Sequence, residues 1–208
     1  MNIQGKIRII QQEWADFMLG DRLFIDVANS LYDGSGRLPD PFDGWAEALT
    51  YIEMAGGLKP EEAKMFQKLA SGREASGSLS DLQDLRRLVE RMISAMENGQ
   101  HLSRNDIAII NTNLVTLDGG LRLAAQQNKY AYNSIASEPS LPQVLGLICK
   151  SVADFTVYDD FKRLKKSGND DCPLYFYDTS KNGQRRWCRM DVCGNRAKAR
   201  AHYHRENN

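Results

Sequence analysis

Near the end of this 208-residue chain, Cys188 and Cys193 stand five positions apart and lead into a basic run spaced by alanines, residues 196–201, that reads as a helix. Cys172 precedes Cys188 by sixteen residues, across a stretch that reads as a β-hairpin: Leu174–Asp178, a turn at Ser180–Gly183, then Arg185–Trp187. Thiols gathered at a knuckle, a hairpin end and a helix start are the layout of a small zinc module. Roughly forty residues bury too little apolar surface to fold alone, and a shared metal replaces the missing core.

Charge divides the chain at the same place. Residues 161–208 hold twelve Lys and Arg against five Asp and Glu, whereas residues 1–160 hold fifteen against twenty-two, so a formal net charge of zero conceals a basic tail on an acidic body. Such a tail meets an anionic partner, nucleic acid being the commonest, or lies against its own acidic domain. The longest apolar run, 144–149, falls far short of the ~20 residues that span a bilayer, and the first residues lack the apolar core of a secretory signal. Cysteines grouped at metal-like spacing predict a cytoplasmic protein with no membrane partner rather than a disulfide framework.

Residues 1–160 predict a mainly helical domain. Ile7, Ile9 and Ile10 suit a short strand, and Leu23–Asn29 suits either a strand or a buried helix. A loop over 33–44 precedes a helix from Trp45 to about Ala55, and Pro60 opens another to Ala70. After a polar connection at 71–78, Ser80 and Gln83 form a capping-box pattern at the head of a helix with Leu82, Leu85, Val89, Met92, Ile93 and Met96 inward. Ser103 caps a further helix through Leu117, with Ile107, Ile110 and Leu114 inward. Two strands, 121–125 and 130–135, come next. Pro142 starts a last long helix to Tyr158 that buries Val144, Leu145, Ile148, Val152 and Phe155, with Cys149 a core thiol. The fold class is α+β: a helical domain at 1–160 with a small strand pair, then a treble-clef-like zinc-finger module at 161–208.

At the C-terminus the letters become specific. Trp187-Cys188 and Cys193-Gly194-Asn195-Arg196-Ala197-Lys198-Ala199-Arg200, with Phe176–Asn182 before them, resemble the signature of the CGNR zinc-finger family. The phrase Leu23–Ser30 resembles the opening motif of ABATE, the partner domain that family members carry at their N-terminus. The resemblance implies a bacterial-type, stress-induced transcription regulator whose finger contacts DNA and whose N-terminal domain senses a small-molecule effector or a protein partner. It also marks a departure: the family pattern places a cysteine where this chain has Ser167.

Three ligands are therefore expected for zinc, Cys172, Cys188 and Cys193, with the fourth open among Asp170, Asp171, Ser167 and water. His202 and His204 are no substitute, since a rise of ~1.5 Å per residue puts His202 about 13 Å beyond Cys193. The other outcomes are a metal-free finger held by packing of Trp187, Tyr175 and Tyr177, a disulfide between two of the cysteines, or another metal. Arg185, Arg186, Lys198, Arg200 and Arg205 suit phosphate contacts, and Arg196 either joins them or is tied locally to a carboxylate or carbonyl. Asp26 and Asn29 either line a pocket or bond buried backbone groups. With no phosphate loop, no H-E-x-x-H and no G-x-S-x-G, the chain is not expected to be an enzyme. The alternative function is a protein-interaction module, which an apolar patch of Tyr175, Tyr177 and Tyr203 would favour.

Overall fold

The structure, a computed structural model, describes residues 11–15, 17–19, 21–32, 39–70, 75–117, 121–126, 129–134 and 139–206. The expected strand at Ile7–Ile10 and the first half of the 33–44 loop lie outside them. Among the described residues the chain is mostly helical, with two small antiparallel strand pairs.

Leu23–Asn29 is a helix, α1, buried along its whole length. Every side chain in it has a neighbour to cover it, so the ambiguous apolar phrase takes the form that satisfies its own backbone. Then come α2 (Trp45–Met54), α3 (Pro60–Ala70), α4 (Ala75–Glu97), α5 (Arg104–Leu114) and α6 (Pro142–Tyr158). Between α5 and α6, β1 (Leu121–Gln126) pairs with β2 (Lys129–Ser134). The prolines at 60 and 142 stand at helix starts, where a missing N–H costs nothing. Ser103 and Asp106 complete a reciprocal capping box at α5.

Two expectations fail in this region. The helix α4 starts at Ala75, so Ser80 caps nothing; the Gln83 amide instead donates to the Phe42 carbonyl at 2.7 Å. Ile107 is 46% exposed, because only Ile110 of α5 is buried against the core.

The apolar stripes of α1, α2, α4 and α6 meet in one core that includes Phe24, Leu49, Ile52, Val89, Ile93, Val152 and Phe155. A buried Arg86 crosses it, held by Asp40 at 2.6 and 2.7 Å and lying over the Phe42 ring. Cys149 is fully buried, and burial pushes its thiol up to about 12, which makes it inert.

The C-terminal segment starts with β3 (Leu164–Lys166), which pairs with β4 (Tyr175–Tyr177). This corrects the expected hairpin: Tyr175–Tyr177 does not pair with Arg185–Trp187, and residues 184–187 form no strand. The cause is Asp178, whose carboxylate catches the N–H groups of Ser180 and Arg185 and closes the intervening loop on itself. Leu164 and Tyr177 reach into the helical core, where Tyr177 packs edge-on against Phe155.

Asn29 makes a second junction. Its side chain donates to the Tyr175 carbonyl at 2.8 Å and accepts from the Tyr175 N–H at 3.0 Å. Of the two readings of this residue, bonding of buried backbone is what the structure holds. Asn29→Ala should cost about 2 kcal/mol, since it strands two backbone groups away from water, and urea unfolding of the variant measures it.

Candidate metal centre

Residues 167–172 form a knuckle between β3 and β4. The Ser167 N–H donates to the Leu174 carbonyl and the Cys172 N–H to the Asn169 carbonyl, at 2.9 and 2.8 Å. The Gly168 N–H reaches the Arg186 carbonyl at 2.9 Å, so the chain around Cys188 is laid against the knuckle. A Cβ on Gly168 would sit 2.9 Å from Arg186 Cγ, and only glycine permits this approach.

The third thiol arrives on a wide turn. Met190–Gly194 form one π-helical turn, in which the Arg189 carbonyl accepts from both the Cys193 and Gly194 N–H groups. Such turns recur at functional sites because they re-aim one side chain within a continuous helix. A Cβ on Gly194 would meet the Met190 thioether, which would have to swing aside, and would press on Trp187 at 3.2 Å. The helix α7 (Asn195–Glu206) follows without a break.

These three segments bring the sulfurs of Cys172, Cys188 and Cys193 together, with every pair within 4.8 Å. Cys188 Sγ lies 3.7 Å from Cys172 Sγ and 3.4 Å from Cys193 Sγ, and all three residues are buried. Zn–S bonds of ~2.3 Å at tetrahedral angles set sulfurs ~3.8 Å apart, so the donor set fits zinc. Hydrogen bonding favours thiolate character. The Cys172 thiol is held down to about 5, first by the Cys188 S–H, then against burial by the Leu174 N–H and the Ser167 hydroxyl. Cys188 shifts the opposite way, because it donates to Cys172 and is buried.

Sequence reasoning missed the surroundings of the cluster. The buried Asn169 amide donates toward Cys193 Sγ at 3.8 Å. Phe17, Leu19 and Tyr32, from the other end of the chain, pack on it beside Leu174, Phe176, Trp187 and Val192. No local sequence signal links Phe17 or Tyr32 to cysteines so distant in the chain. Asp178 is fully buried and binds Lys165 Nζ, Ser180 and the Arg185 N–H. Besides its place in the Phe176–Asn182 motif, its sequence signal is Ser180 two positions later, the spacing of an Asx turn.

Asp170 and Asp171 are turned away from the sulfurs. They sit at the tip of the knuckle, 94% and 73% exposed, and pair with Arg200 at 3.9 and 2.7 Å. Ser167, in contrast, is buried, and its hydroxyl accepts from the Cys188 N–H at 3.4 Å.

The expected basic face divides in the same manner. Arg185 is tucked over the Phe176 ring and donates to the Trp187 and Cys188 carbonyls, so it braces the site rather than facing a partner. Arg200 is engaged by Asp171. Arg186, stacked over Trp187, and Arg196, Lys198 and Arg205 are exposed. Arg196 lies near enough to Tyr32 for its charge to oppose the upward shift that burial imposes on that phenol. Of the tyrosines proposed as an apolar patch, Tyr177 is buried and Tyr203 is 66% exposed.

Residues 163–206 match the CGNR zinc finger family. The match begins at β3 and ends with α7, so it covers the knuckle, all three cysteines and the exposed basic residues. It does not extend to the helical body, and no curated protein matches the chain. Among the described residues, no helix is long and apolar enough to cross a membrane.

Proposed function

We propose that residues 161–208 are a treble-clef-like zinc finger that binds nucleic acid through phosphate contacts, and that the chain acts as a transcription regulator in the cytoplasm, by binding rather than by catalysis. The observation that carries the reading is the continuity of the metal turn with α7. A helix anchored by the sulfur cluster exposes Arg196 and Lys198 in its first turn and Arg205 in its last, with Arg186 beside its base. Guanidinium and ammonium groups held on a rigid element suit phosphate oxygens. Residues 1–160 form an ABATE-like domain that receives an effector or partner. A cleft of about 600 Å³ lined by Arg22, Asp26, Met54, Lys150 and Asp154 offers the place.

Salt dependence tests the DNA step. With three to four phosphates neutralised, log K should fall against log salt with a slope of about −3 on duplex DNA. Replacing both Arg196 and Lys198 with alanine should bring the slope nearer to about −1, as read by fluorescence anisotropy. Affinity that is undetectable at low salt, or indifferent to salt, overturns the reading in favour of a protein-docking finger, to which exposed Met190 and Tyr203 would contribute.

A further inference from the structure

Beside the three thiols lies a buried oxygen donor, the Ser167 hydroxyl, which accepts from the Cys188 N–H. We propose that Ser167 Oγ is the fourth ligand, so that this finger holds its metal with three thiolates and one hydroxyl and leaves no position for water; the proposal rests on the zinc reading above.

Position is the first argument. The backbone of Ser167 is fixed by Leu174, and that of Gly168 by Arg186, so the residue cannot drift from the cluster. Its hydroxyl accepts from the Cys188 N–H at 3.4 Å, which holds it against the middle cysteine of the cluster. A buried hydroxyl bonded to the backbone of Cys188 from the knuckle is the oxygen placed to complete the set. The second argument is burial. Ser167 is 7% exposed and Asn169 is 6% exposed, whereas both neighbouring carboxylates point outward to Arg200. Solvent and carboxylate, the two competing oxygen sources, are kept outside.

The chemistry differs from that of four thiolates in a definite way. A hydroxyl coordinates through an oxygen lone pair and keeps its proton, so the centre carries one negative charge fewer. One soft donor has become a hard one, which weakens zinc and penalises cadmium, a softer ion, still more. The proposal thus assigns a metal preference as well as a residue.

Cobalt(II) titration of the full chain, with competition by zinc and by cadmium, reads both. The unmodified chain should give tetrahedral d–d bands with sulfur-to-cobalt charge transfer. Ser167→Cys should move the d–d bands to longer wavelength, tighten zinc by at least about tenfold and raise the preference for cadmium over zinc. Ser167→Ala should weaken zinc by at least about tenfold and lower the d–d intensity. A Ser167→Ala chain with unaltered spectrum and affinity makes the serine a bystander, and a Ser167→Cys chain with an unshifted spectrum puts the corner outside the coordination sphere; either result overturns the proposal. If the unmodified chain takes up neither cobalt nor zinc, the zinc reading itself falls, a result distinct from the other two.

Discussion

Cys188→Ala should abolish tight zinc binding and open the C-terminal segment while leaving the helical body folded. Cys188 is the middle of the cluster, touching both other sulfurs at 3.7 and 3.4 Å, so its loss leaves Cys172 and Cys193 without a common partner. Structural zinc contributes roughly 10–16 kcal/mol in isolated finger peptides. Less than that will appear here, because Leu164 and Tyr177 stay anchored in the helical core. Metal analysis after purification without chelator gives the first readout, and hydrogen exchange along the chain gives the second: protection lost over 167–172 and 188–206 and kept in α2, α4 and α6. Cys149→Ala is the control. That thiol lies in the other core, so its removal costs packing but no metal. Normal zinc content in Cys188→Ala would disprove the three-sulfur site.

The second large effect is expected at Asp178. This carboxylate has no exposed surface and ties Lys165, Ser180 and the Arg185 N–H into one loop. Asp178→Ala strands two N–H groups and takes the counter-charge from Lys165, at a cost of roughly 3 kcal/mol; the lower end of the range applies because Lys165 is 26% exposed and keeps the Gly183 and Arg185 carbonyls. Burial alone would push the Asp178 carboxyl up, but the bonds from Lys165, Ser180 and Arg185 prevail and hold it well below the usual carboxylate range. Unfolded, it titrates near ~3.9. The sign follows: its stabilisation is fully present above that value and is lost as pH falls toward the folded pKa. Melting temperatures of the unmodified chain and the variant should therefore differ most near neutrality and converge in acid. A constant difference down to about pH 2 would show that the loop is held by packing instead.

Elements whose ends carry their own chemistry were legible in the sequence. Pro60, Pro142 and the Ser103 cap mark helix starts that need no tertiary partner, and the inward stripes of α4 and α6 follow the helical period. Leu23–Asn29 was ambiguous because a segment buried on all sides has no polar face to betray its period. The partner of β4 was misread for a related reason: short-range turn residues at 180–183 suggest a hairpin, yet they serve a carboxylate rather than a ladder. Spacing alone drew attention to the cysteines. It could not show that Ser167 is buried against Cys188 while Asp170 and Asp171 face Arg200, since that depends on which way one short turn is wound. Nor could it show that Arg185 and Arg200 are already engaged, because both look like any other exposed cation until the chain is folded.

The grip of Asn29 on Tyr175 has a consequence for self-association. A two-stranded sheet leaves an outer edge of alternating N–H and C=O groups that another chain's strand can extend. In β4 the groups of Tyr175 are already taken, donor and acceptor together, by one side-chain amide that imitates the rung of a third strand. The asparagine thus acts as an edge guard, and because it sits on a helix rather than a strand it ends the ladder and offers no new edge of its own.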